Sequence, residues 1–121
     1  MAQQLFSSRF TVENITKEDY KYQQCATVLL KSLQHTLKFD YPCQYVELEV
    51  DDVAEVVIYR DHVKDSDVPR EFNYVCLGKM YSISDDQMVG SFNGLQMVLT
   101  GENIGLDDRC DFSMALRVLK S

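Results

Sequence analysis

An all-β domain, an eight-stranded antiparallel barrel, is what this sequence predicts, on three grounds. Apolar side chains recur at every second position along most of the chain, the period of a strand with one face on a core. Eight such stretches succeed one another at spacings of about ten residues, the rhythm of a barrel or sandwich, and closure would remove the exposed edges of so many strands. Helix signals are poor: Asn14 to Tyr20 opens on an Asn cap candidate but has room for two turns at most.

In order, Phe6, Phe10 and Val12 share one face of a first strand, and Tyr22, Ala26, Val28 and Leu30 one face of a second. Leu37, Phe39 and Tyr41 form a third, stopped by Pro42, which cannot donate to a ladder. Val46, Leu48 and Val50 form a fourth, with Glu47 and Glu49 turned to water. Asp51-Asp52 turns the chain into a fifth, Val53 to Arg60, with β-branched residues on both faces. Asp61 to Arg70, poor in aliphatic residues and holding Pro69, reads as an exposed connection between two halves. Phe72 to Ser84 is a long strand with Val75, Leu77, Tyr81 and Ile83 on one face; Gly78 within it marks a bulge or a close backbone approach. Ser84 to Gln87 is a turn, and Met88 to Thr100 alternates again with Leu95, Met97 and Leu99 on one side. After a turn region from Gly101 to Asp108, Phe112, Met114, Leu116 and Val118 end the single domain, residues 1–121. No sequence repeat relates the two halves.

The composition constrains partners. With 45% hydrophobic and 26% charged residues the chain is an ordinary globular one. Met1 to Gln4 has no basic, signal-like start, and the apolar run Val56 to Tyr59 is far short of the roughly 20 residues of a membrane helix, so a soluble intracellular protein with no membrane partner is expected. The net charge is −7, and no two basic residues are adjacent; nucleic-acid affinity comes mainly from clustered Lys and Arg, so strong direct binding to DNA or RNA is not expected. Cys25, Cys43, Cys76 and Cys110 are widely spaced without a CxxC pair, which predicts free thiols rather than a zinc site.

No constellation for turnover is legible. Asp61 to Asp67 is dense in ligand-type side chains but lacks the glycine and final Glu of a calcium loop, so a solvated connector is favoured over a cation site. Gly101 to Gly105 lacks the Lys-Ser/Thr of a phosphate loop. Asp51-Asp52, Asp85-Asp86 and Asp107-Asp108 all fall at turns, where Asp bends the chain locally. A non-enzyme without cofactor or metal is expected. Tyr20, Tyr45, Tyr59 and Tyr74 could serve base stacking or a protein interface; the acidic charge favours the interface.

Phe72-Asn73-Tyr74-Val75-Cys76-Leu77-Gly78-Lys79-Met80-Tyr81-Ser82-Ile83 resembles a strand of the small β-barrel subunit, eighth in the usual naming, common to the nuclear RNA polymerases I, II and III. The pattern there runs F-x-Y-V-x-x-G-K-x-Y-x-I. Phe92-Asn93-Gly94-Leu95-Gln96-Met97-Val98-Leu99-Thr100-Gly101 is similar to that family's aromatic-G-G-L-L-M-x-L-x-G run, with Asn93 in place of a glycine and Gln96 in place of a leucine. Leu5-Phe6 with Phe10-Thr11-Val12, and then Tyr22, resemble the family's start, while the connections at Asp61 to Glu71 and Ser84 to Val89 are shorter. The resemblance implies a barrel of the oligonucleotide/oligosaccharide-binding type built from two four-stranded halves. It implies a structural subunit in the nucleus and nucleolus, docked on the largest subunit and its neighbours, away from the catalytic metal. Tyr74, Gly78, Lys79, Tyr81, Asn93, Gly94, Leu95 and Met97 occupy the motif positions expected to form the docking surface, with Leu95 and Met97 also candidates for the core. The alternative is a stand-alone barrel binding single-stranded nucleic acid.

Overall fold

The alternating segments do become strands. The computed structural model describes residues 3–17, 25–42, 48–64, 68, 72, 74–92 and 95–119, and no described residue is helical. The strands are β1 (Gln3–Lys17), β2 (Cys25–Lys31), β3 (Thr36–Pro42), β4 (Val53–Arg60), β5 (Tyr74–Ile83), β6 (Gln87–Phe92), β7 (Leu95–Thr100) and β8 (Asp111–Leu119). They close into an antiparallel barrel in the order β1-β2-β3-β7-β6-β5-β8-β4.

That order divides into two halves of four, β4-β1-β2-β3 and β8-β5-β6-β7. In each, three successive strands lie side by side and the fourth returns beside the first, which is a Greek key. The registers relate the halves residue by residue. β1 bulges between Val12 and Asn14 against β2, and β5 bulges between Met80 and Ser82 against β6. When the bulges are superposed, Val12 falls on Met80, Phe10 on Gly78 and Leu30 on Gly90. Carried through the ladders, Val57 becomes the counterpart of Ala115, and Lys38 that of Val98. Each of these pairs is also a pair of ladder partners. A residue that faces its own counterpart lies on a two-fold axis, and this axis passes through both seams between the halves.

The inward row is Phe10, Val12, Val28, Leu30, Leu37, Phe39, Tyr41, Ala54, Val56 and Ile58 from the first half, all buried. From the second it is Cys76, Met80, Met88, Phe92, Met97, Leu99, Phe112, Met114 and Leu116. A second cluster lies outside the barrel wall, where Val57, Tyr59, Val63 and Ala115 pack with Val68 and Phe72. The connection after β4 is therefore not simply exposed: Val63 is buried on β4 and β8, and its N–H donates to Ser113 Oγ at 2.9 Å.

Three expectations need correction. Leu48 to Val50 is not a strand: Asp52 N donates to Glu49 O at 3.0 Å, and Glu49 N to the Asp52 carboxylate at 2.9 Å. Asp51, at φ 77°, completes a turn that local side-chain bonds favour over a ladder; Val46 lies outside the described residues. Met88 to Thr100 is two strands, because Phe92 pairs with Leu95 and the chain reverses between them. On β5 the face is inverted: Cys76, Gly78 and Met80 point inward, while Leu77 and Tyr81 are exposed. In keeping with the poor helix signal, the cap candidate Asn14 is strand, Asn14 to Lys17 belonging to β1; residues 18–20, and Tyr22, lie outside the described residues.

Candidate functional site

The motif residues do not form one surface. Met97 is fully buried in the core, so a partner cannot touch it. Gly78 is buried too, and its role is close approach: a Cβ there would lie 2.6 Å from Ser91 O and 2.8 Å from the Phe112 ring. Asn93 and Gly94 lie outside the described residues. What the strand does present outward is Leu77, Lys79 and Tyr81, with Leu77 41% and Tyr81 52% exposed. Alternation sends Leu77, Lys79 and Tyr81 out; the bulge after Met80 leaves Ser82 outward as well and turns Ile83 toward the core.

Tyr81 is oriented by its surroundings. Gln96 Nε2 donates to its hydroxyl at 2.8 Å. Gln96 N in turn donates to Asp40 Oδ2 at 3.3 Å, and Thr27 Oγ1 donates to Asp40 Oδ1 at 2.6 Å. This belt runs from β2 across the β3–β7 seam and ends on the exposed tyrosine. Leu77 was not among the expected site residues, while Gln96 falls within the motif stretch Asn93 to Met97 expected to dock. An outward leucine is not separable from an inward one by period alone; Gln96 is legible as the polar residue that replaces a leucine of the motif.

Tyr74 and Leu95 line a recess of about 590 Å³ with His62, Val75, Cys76, Leu77 and Phe92. Tyr74 and Leu95 pack on the main core while half-buried. His62 Nε2 lies 3.1 Å from Gly78 O and 3.9 Å from the Asp111 carboxylate. The Cys76 thiol donates to Met114 O at 3.6 Å. Burial pushes it from 9.0 up to about 12, outweighing the hydrogen bonds to Met114 and Tyr74, so it stays a thiol at neutral pH. Among the described residues, no three His, Cys, Asp or Glu side chains converge as a metal site would need.

The raised thiol has a measurable consequence. The unfolded chain ionises Cys76 above about pH 9 and the folded chain only near 12. Its contribution to stability is thus complete below pH 9 and is lost as the pH rises across that window. Urea unfolding of wild type and Cys76→Ala should show a stability difference that shrinks between pH 8 and 11. Parallel pH profiles for the two proteins would refute the assignment.

The two-fold axis gives the recess a counterpart. The first half holds a hollow of about 400 Å³ between Phe6–Arg9 and Ser32–His35, the positions that correspond to Tyr74–Leu77 and to the end of β6. The two differ in chemistry: Ser7, Ser8 and Arg9 stand where the second half has Val75, Cys76 and Leu77. In comparisons with known proteins, no family model matches this chain, and no curated protein matches it.

Proposed function

We propose that the chain is a non-catalytic docking subunit of the nuclear DNA-directed RNA polymerases, held on the largest subunit by the outer face of β5. The observation that carries the reading is a coincidence of place. The stretch Phe72 to Ile83, which resembles the family's strand, includes the strand that exposes Leu77 and Tyr81 beside an apolar recess. Exposed tyrosine and leucine around a cation are interface chemistry, and the net charge of −7 supports a protein partner over a polyanion.

Tagged chain expressed in its own cells should co-purify with the large polymerase subunits in near-stoichiometric amount. Recovery as a free monomer after gentle lysis would overturn the reading. Salt-sensitive binding of a labelled single-stranded oligonucleotide, without polymerase, would replace it with the nucleic-acid alternative.

A further inference from the structure

The barrel is closed, yet its first strand is only partly paired. β1 pairs with β4 from Gln3 to Thr11, but with β2 only from Thr11 onward. Backbone groups of successive residues in an antiparallel ladder point to alternate sides. Val12 uses the β4 side: its N–H donates to Asp52 O at 2.8 Å and its carbonyl accepts from Asp51 N at 2.9 Å. Phe10 and Ser8 therefore use that side too. Ser7 and Arg9 aim their N–H and C=O groups the other way, where no described strand pairs with them.

The opposite wall of this slot is the Ser32–His35 turn, which is held firmly. Ser32 N donates to His35 O at 2.9 Å, and His35 N to Ser32 Oγ at 3.0 Å. The His35 ring lies 5.1 Å from that of Phe6, with Nε2 2.9 Å from Glu102 O. The slot is thus preformed. Arg9 is the one residue lining it that is charged at every physiological pH, and Leu33 on its rim is fully exposed.

We propose that this slot binds an extended segment of a partner protein, added as a strand to the Ser7–Arg9 edge, with one acidic side chain against Arg9. A row of free backbone donors and acceptors is matched by another extended backbone, which supplies affinity while neighbouring side chains supply selection. Arg9 selects the acid, and Leu33 offers an apolar contact beside it. A second copy of this chain is a poorer occupant, since two bodies each carrying −7 repel. The register puts the starts of β1 and β5 at opposite ends of the barrel. The slot is therefore independent of the β5 face and of whether that face docks on a polymerase.

The test uses the full chain and a fluorescein-labelled heptapeptide of alternating threonine and valine with a central aspartate. Ser7→Pro deletes an N–H that β4 does not use, and proline is tolerated on such an edge. Binding should slow amide exchange at Ser7 and Arg9, and should weaken at least tenfold in Ser7→Pro and in Arg9→Glu. A peptide N-methylated at alternate residues should not bind, which keeps the test sound if Ser7→Pro misfolds. Equal binding by wild type and Arg9→Glu, no binding at 1 mM peptide, or a lysine-centred peptide binding as tightly would each overturn the proposal. So would a homodimer that Ser7→Pro abolishes, because the occupant would then be a second copy.

Discussion

Phe112→Ala is expected to cost about 3–5 kcal/mol of folding stability, a large share of the 5–15 kcal/mol typical of a whole domain. Phe112 is fully buried and meets Phe92 edge to face, ring centroids 6.3 Å apart at 66°. Its ring lies directly on backbone: Cβ atoms built on Gly78 and Gly90 would fall 2.8 and 2.9 Å from its Cε1. Those backbones are pinned, Gly78 by its ladder with Phe112 and Gly90 by its ladders with Met80 and Met97. Neither can slide in to fill the space, so the cavity persists and the cost falls toward the upper end of the range. Urea unfolding with an unchanged m-value would measure it. Gly78→Ala should cost about 1–3 kcal/mol by overpacking, and less in the Phe112→Ala background, where one of the two clashes is gone. Strict additivity of the two changes would show that the ring is not what demands the glycine.

The same three positions explain why the internal two-fold was not legible in the sequence. In the first half the counterparts of Gly78, Gly90 and Phe112 are Phe10, Leu30 and Ala54. Phe10 faces Ala54 across one ladder, and Gly78 faces Phe112 across the other. One aromatic ring fills equivalent space in each half but hangs from a different strand, so volume is preserved while residue identity is exchanged. The bulges were likewise invisible, since Val12-Glu13-Asn14-Ile15 and Met80-Tyr81-Ser82-Ile83 share a burial pattern and little else. Alternation did suffice for β2, β3 and β8, where Val28, Phe39 and Met114 point inward as expected. It misled on β5, because Gly78 leaves the inward face looking empty and the outward leucine looks like core. The expected strand total of eight agrees because two differences offset each other: Glu49 to Asp52 is a turn where the end of a strand is expected, and Met88 to Thr100 is two strands where one is expected, the dipeptide Asn93-Gly94 being a sequence signal for reversal between Phe92 and Leu95.

On the proposed docking, Leu77→Glu is expected to weaken binding to the large polymerase subunit about 100-fold while leaving the isolated barrel's stability within about 0.5 kcal/mol. The separation follows from position. Leu77 is 41% exposed on the outer wall, so the free chain loses little packing when it changes. In a complex the same site would be desolvated, and a carboxylate there would be buried without a partner. Tyr81→Ala should act in the same direction by removing a rigid amphipathic anchor. Gln96→Leu should cost only a few-fold, since it leaves the ring in place and removes the 2.8 Å bond to its hydroxyl. Met97→Ala supplies the contrast: it is fully buried in the barrel and should lose about 2–5 kcal/mol of stability with no loss of affinity per folded molecule. Titration of purified variants against the large subunit, with thermal unfolding alongside, distinguishes the two behaviours. If Leu77→Glu and Tyr81→Ala bind as wild type does, the partner lies elsewhere on the barrel and the β5 face is only a solvated wall.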